Sequence, residues 1–276
     1  MTRLWNAFQH ARWSLAKRLV PRRVVRSRGL SFTLQCDNWI THYRWASYNQ
    51  KEPETLDWID QQMRDGEIFF DVGANTGLYT IYAALRWPRS RVVAFEPEYA
   101  NLHLLRDNIL ANKLQDRVAV YAVALSDQSG PSYLHLHDTT PGAALHTESR
   151  SSLDRTVFGG PPVWQEGVWT VTLDTFCAET HLYPSCMKVD VDGTEAKVLR
   201  GSAGILSAPA FGSLLLEVAN DTAIHNACEA LLSQANLQRV WQRSGEVGCT
   251  ELWEAASSAR GTGDESQQLI HKESDR

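Results

Sequence analysis

The feature that most limits the fold is an alternation that begins at Glu67. "IFFDV" and "RVVAFEP" are short apolar runs, and each is followed by a stretch with helical periodicity. Strand, helix, strand, helix with short connections is the order of a parallel sheet, because a right-handed crossover carries the chain back to a neighbouring parallel strand. "RVAVYAVAL" reads as a third strand, "CMKVDV" as a fourth and "FGSLLLEV" as a fifth. Helices are expected over "LYTIYAALRW", around Leu102, Leu105 and Ile109, over "TEAKVLRGSAGIL", and around Ile224, Cys228 and Leu231. "QRVWQ" and "TELWEA" close the sheet. The domain so outlined spans 67–256, interrupted at about 126–172 by an insert rich in proline and glycine. In that insert "DQSGPSYLHLH" and "VWTVTL" read as hairpin strands.

The flanks are different in kind. Arg3, Arg12, Lys17, Arg18, Arg22, Arg23, Arg26 and Arg28 all precede Asp37, the first acid, although the whole chain carries a formal charge of -5. That overall charge gives no general attraction to nucleic acid. Leu4, Phe8, Ala11, Leu15 and Leu19 fall at helical spacing, so the unit 1–28 reads as a basic amphipathic helix ended by Pro21. Such a helix suits either peripheral contact with an anionic membrane or packing on the protein's own core or a second copy. Residues 29–66 form an N-terminal cap: "GLSFTLQCDNWITHYRWASY" reads as strands or irregular structure, and "PETLDWIDQQM" as a helix. The tail 257–276 holds almost nothing to bury and is expected to be disordered. No window is apolar enough to span a membrane, and Cys36, Cys177, Cys186, Cys228 and Cys249 form no C-x-x-C pair. A reducing cytoplasm, with the chain alternatively peripheral to the inner membrane face, is the expected setting.

The loop in "DVGANTGLYT" turns from a strand into a helix, where glycines and the positive helix end let a ligand approach backbone amides. No lysine follows Gly77, which excludes the phosphate-loop pattern, and Asn75 stands where a dinucleotide fingerprint has its second glycine. Asp71 opposes a pyrophosphate but suits a cationic ligand. Glu96, at the end of the second strand, is placed to accept hydrogen bonds from both hydroxyls of a ribose. Together they favour S-adenosylmethionine over NAD.

Four stretches in order, "DVGANTGLYT" from Asp71, "AFEPEYANLHLLRDNI" from Ala94, "TLDTF" from Thr172 and "MKVDVDGTEAKVLRG" from Met187, with "LLLEV" from Leu214 behind them, resemble the FkbM-type S-adenosylmethionine-dependent methyltransferases. The last of the four is the specific one. The resemblance implies an α/β class I methyltransferase (Rossmann-like) fold, a seven-stranded, mostly parallel sheet with helices on both faces. It also implies methyl transfer to a hydroxyl of a sugar, glycolipid or natural product. Under it, Asp71, Gly73, Asn75 and Gly77 look like the cofactor loop, Glu96 like the ribose ligand, Asn101 like a residue that caps or fixes the next turn, and Ala124 like a position lining the adenine pocket.

An alcohol acceptor must lose a proton as it is methylated, so a base is needed beside the cofactor. Strand alternation sends Asp190 and Asp192 to one side, with Glu195 one helical turn on. These acids serve as base, as ammonium ligands, or as holders of a divalent ion with Asn220 and Asp221, the metal being the less favoured reading. Capping is the plain alternative for Asp192. Glu217 interrupts an apolar strand and is expected to face the cleft or an arginine. His135 and His137, with Asp138, read as the exposed face of a hairpin strand rather than a ligand cluster. A small-molecule or glycan acceptor is the expected partner. An NAD-dependent oxidoreductase on the same sheet, or a non-catalytic binding protein, stands as the alternative.

Overall fold

The computed structural model describes residues 5, 7–9, 11, 12, 21–151, 161–245 and 248–256. The helix expected before Pro21 lies largely outside them; residues 5, 7–9, 11 and 12 are helical, and Trp5 and Phe8 are exposed. The tail 257–276 also lies outside. The unit drawn to Arg28 is not helical beyond Pro21. Instead β1 (Arg22–Ser27) pairs antiparallel with β2 (Leu30–Gln35). Arg28 and Gly29 between them have φ of 48° and 81°, the two positive values of a tight hairpin turn. Arg28 is held there by Asp57 at 2.5 Å and Asp60 at 3.1 Å.

The aromatic stretch after Asn38, read as strand or irregular, is helix α1 (Trp39–Ala46). A local device outweighs β-propensity: the Asn38 side chain accepts from the Thr41 amide and the Thr41 hydroxyl accepts from the Asn38 amide, a reciprocal cap. Two further helices, α2 (Tyr48–Lys51) and α3 (Pro53–Gln62), complete the cap, the latter with proline in its first turn.

From there the chain runs β3 (Ile68–Val72), α4 (Leu78–Arg86), β4 (Arg91–Phe95), α5 (Tyr99–Ala111) and β5 (Val118–Tyr121). The insert follows as β6 (Ala124–Leu125), β7 (Gly130–Leu136), β8 (Thr147–Ser149) and β9 (Trp164–Val171). The second half is α6 (Leu173–Thr180), β10 (Cys186–Val189), α7 (Glu195–Arg200), α8 (Ala203–Leu206), β11 (Ser213–Ala219), α9 (Thr222–Gln234), β12 (Leu237–Ser244) and β13 (Gly248–Ala255). The main sheet has seven strands in the order β12-β13-β11-β10-β3-β4-β5. The contacts β11–β10–β3–β4–β5 are parallel, and β13 runs antiparallel to both neighbours. This is the α/β fold of class I methyltransferases.

Alternation along each strand divides the core in two. Phe70, Val72, Met187, Val189, Leu214 and Leu216 face one side, with Leu173, Phe176, Val198 and Leu232 from the second-half helices. Phe69, Cys186 and Leu215 face the other, with Leu56, Ile59, Ile81 and Leu105 from the cap and the first two sheet helices. The "RVAVYAVAL" run is split rather than continuous: β5 stays in the main sheet, while β6 pairs with β9 in a separate four-stranded sheet ordered β6-β9-β7-β8.

Candidate active site

The parity that buries Phe69 and Cys186 sends the charged residues at the carboxyl ends of β3, β10 and β11 to the same face, under the cap. Asp71 and Lys188 are paired in register across β3 and β10, and Lys188 faces Leu215 across β10 and β11, two residues from Glu217. Lys188 is buried; its ammonium donates to Asp190 Oδ2 at 2.7 Å and lies 5.3 Å from the centre of the Tyr79 ring. Burial alone would lower its pKa, but Asp190, Glu52 and Asp71 outweigh burial and raise it, so it is a fixed cation. Glu52 is buried too. It accepts from Lys51 at 2.5 Å and from the Tyr79 hydroxyl at 2.6 Å, and Lys188 and Lys51 hold it at about 2 against the opposing effect of burial. Glu217 is half-buried, meets no arginine ion pair among the described residues, and is pushed to about 8 by the Asp190 charge first and burial second. Asp71 is 1% exposed; Oδ2 accepts from the Thr80 hydroxyl at 2.5 Å, while Oδ1 has no partner. Burial raises its pKa, opposed by Lys188.

The glycine loop beside Asp71 is shaped by chain packing as much as by any ligand. Gly73 has φ of 80°, its amide donates to the Phe95 carbonyl at 3.0 Å, and any Cβ would collide with the Asp190 carbonyl. A Cβ on Gly77 would strike Leu105 of α5. Asn75, at φ of 50°, donates its amide to Glu96 Oε2 at 2.7 Å, and Oε1 accepts from the Glu98 amide at 3.0 Å. Burial nonetheless pushes the Glu96 carboxyl up to about 8, the two amides opposing.

Part of the insert forms a strap across this region. The Pro141 carbonyl accepts from Asn38 at 2.9 Å, and the Gly142 carbonyl accepts from Arg44 Nε at 2.8 Å. The Gly142 amide donates to Asn101 Oδ1 at 2.7 Å. The Ala143 carbonyl accepts from Asn75 at 2.7 Å and Asn101 at 3.1 Å, and the Leu145 amide donates to Asp192 Oδ2 at 2.7 Å. The side chains of Asn75, Asn101 and Asp192 are thus all engaged by the strap. Asp190 and Asp192 do not share one direction, because β10 ends at Val189 and Asp192 adopts φ of 55°. Asp190 enters the cluster under the cap and Asp192 goes to the strap, raised to about 6 by burial and then by Asp190. Glu195 accepts from the Gly193 amide at 2.7 Å and is raised to about 7 by burial.

Other positions land elsewhere. Ala124 is buried at the start of the small sheet, not at the end of a main-sheet strand. His135 is 1% exposed with no partner for its Nε2 and His137 is half-buried, so these two histidines do not lie on an exposed strand face as expected, although Pro131 and Tyr133, earlier on the same side of β7, are exposed. Asp221 caps α9, accepting from the Ala223 and Ile224 amides at 2.8 Å and 3.1 Å. Among the described residues no group of acids, histidines and cysteines is arranged to hold a metal. Arg44, Glu52, Tyr79 and Lys188 belong to the site and were not singled out from sequence. Lys188 alone had a local signal, a charge in the apolar run "CMKV" with the same parity as Asp190.

A family model described as "Methyltransferase FkbM domain" matches residues 71–234. The 31-O-demethyl-FK506 methyltransferase FkbM of Streptomyces tacrolimicus is 31% identical over 160 residues, which cover 51% of this chain and 61% of that protein. Methyltransferase 1 of Beauveria bassiana is 27% identical over 147 residues, covering 50% of this chain and 59% of that protein. The chain therefore spans about three-fifths of the length of these relatives. Among solved structures, precorrin-6y C5,15-methyltransferase from Geobacter metallireducens aligns with a TM-score of 0.43 at 12% identity, over 74% of this chain and 86% of that one. The matched segment takes in the glycine loop, Glu96, the Asp190 turn and Glu217, more than half the chain, and the chain belongs to the FkbM methyltransferase family.

Proposed function

We propose that the protein is an S-adenosylmethionine-dependent O-methyltransferase whose acceptor is a hydroxyl of a small molecule or glycan. The observation that carries this reading is the unpartnered Oδ1 of buried Asp71, beside a glycine turn and one strand from Glu96. A buried acceptor without a donor is costly and is expected to be completed by a ligand cation. Asp71 would accept from the ammonium of the methionine arm and Glu96 from the ribose hydroxyls, with the loop backbone around Gly73 and Asn75 alongside. When bound, S-adenosylmethionine supplies an electrophilic methyl group on a sulfonium.

The chain's own task is to position the acceptor and take its proton. Asp190 is committed to Lys188. Glu217, raised to about 8 by Asp190 and burial, sits where a carboxyl gains and loses a proton near neutrality, which suits a general base for an alcohol. The test pairs binding with turnover. Wild type is expected to bind S-adenosylhomocysteine by calorimetry and Glu96→Ala to bind it about ten-fold more weakly, the scale of two lost hydrogen bonds. With labelled methyl donor and a panel of hydroxylated acceptors, Glu217→Gln should lose turnover while keeping cofactor affinity. Absence of binding by wild type removes the reading, and full turnover by Glu217→Gln removes the base.

A further inference from the structure

A cleft open to solvent is lined by Arg44, Ser47 and Lys51 from the cap and by Asp71, Lys188 and Asp190 from the strand ends. Most of its charges are already spent. Lys188 is held by Asp190, Lys51 by Glu52, and one oxygen of Asp71 by Thr80. Two groups are not. Asp71 Oδ1 is a buried acceptor lacking a donor, and the Arg44 guanidinium forms no ion pair among the described residues, only the Nε bond to the Gly142 carbonyl. An open acceptor on the sheet side and an open planar cation on the cap side of one cavity complement a molecule that carries an ammonium and a carboxylate together.

We propose that Arg44 recognises the α-carboxylate of an amino-acid head group whose ammonium is accepted by Asp71. The inference rests on the reading above, under which that head group is the methionine arm of the methyl donor. Arginine suits the task because its unspent Nη groups present paired donors matched to the two oxygens of a carboxylate, whereas Lys51 is a point charge already paired. The assignment gives the N-terminal cap a direct part in binding the donor.

The experiment crosses a ligand change with a residue change. S-adenosylhomocysteine and its decarboxylated analogue are titrated by calorimetry into wild type, Arg44→Ala and Arg44→Gln. Wild type should bind the carboxylate-bearing ligand about ten- to hundred-fold more tightly than the decarboxylated one, the scale of one charge-assisted pair. Arg44→Ala should bind both alike, having lost affinity only for the former, and Arg44→Gln should fall between. A variant that loosened the strap through Gly142 would weaken both ligands equally, and that result overturns the proposal, as does Arg44→Ala retaining the full preference. Failure of wild type to bind either ligand defeats the cofactor reading and this assignment together; binding of both by wild type with no preference defeats this assignment alone.

Discussion

Replacing Gly73 by alanine tests whether the glycine loop is fixed by the end of β10, and Gly29 supplies a matched control. The two glycines have nearly the same φ, 80° and 81°, so at either position a side chain is held in the left-handed region and strained. That strain is about 1–2 kcal/mol for a non-glycine residue. Their surroundings differ completely. At Gly29 a Cβ meets nothing within 4 Å. At Gly73 it would overlap the Asp190 carbonyl oxygen and stand 2.9 Å from the Asp190 carbonyl carbon. Neither atom is the loose end of a side chain, and the same residue is tethered by its amide to the Val72 carbonyl at 3.1 Å. Forcing backbone apart in a packed region adds about 1–3 kcal/mol. Gly29→Ala should therefore destabilise by about 1–2 kcal/mol, all of it from local strain. Gly73→Ala should reach about 2–5 kcal/mol, the sum of both effects. Urea unfolding of both variants with unchanged m-values gives the difference directly, as a shift of midpoint. Displacing Asp190 also spoils the cavity, so Gly73→Ala should lose S-adenosylhomocysteine binding while Gly29→Ala keeps it. A Gly73→Ala protein no less stable than Gly29→Ala would refute the packing argument, whatever its binding.

Three further outcomes follow from the site. Asn101→Ala removes the acceptor for the Gly142 amide and one of two donors to the Ala143 carbonyl, at a local loss of about 1–3 kcal/mol. Hydrogen exchange should accelerate at 141–147 and not in β3 or β10, and uniform exchange across the molecule would count against a strap held by side chains. Glu96 has a folded pKa of about 8 against an ordinary 4.5, so its favourable contribution is complete below 4.5 and is lost as pH rises through 8. Glu96→Gln does not titrate; whatever its deficit at pH 5, the gap to wild type in urea melts should narrow by pH 9, and a constant gap would refute the shift. Lys188→Met leaves Asp190, Glu52 and Asp71 without their common buried cation and should destabilise by about 3–5 kcal/mol at pH 7. The loss should shrink as pH falls toward 4 and the carboxylates protonate, so a loss that grows on acidification would show that Lys188 is held by packing instead.

The parts of this protein legible in its sequence are those decided within one strand or helix. Asp71, Lys188 and Glu217 are charges in apolar runs, and the two-residue alternation that buries Phe69, Cys186 and Leu215 also fixes the face to which those charges point. What alternation cannot supply is register across strands. Asp71 meets Lys188 because β3 and β10 align Phe69 with Cys186, a pairing more than a hundred residues apart that no local pattern encodes. The same limit explains Asn75 and Asn101. Each sits in a motif at its expected place, yet its side-chain amide holds the Ala143 carbonyl, contributed by an insert whose composition reads only as loop. It explains the misread cap as well. Trp39, Tyr43 and Trp45 have β-propensity, while the reciprocal bonds of Asn38 and Thr41 start a helix there, and that helix brings Arg44 to both the strap and the cavity. Gly73 joins both kinds of information. Its position in the loop announces a positive φ, but whether glycine is demanded by an approaching ligand or by a neighbouring strand depends on where Asp190 lies. Here Asp190 itself closes the space behind the turn, so the loop's shape is set by the parallel pairing of β3 with β10, and in the cleft beside it, among the described residues, Asp71 Oδ1 stays without a donor while Arg44 is bonded only through Nε.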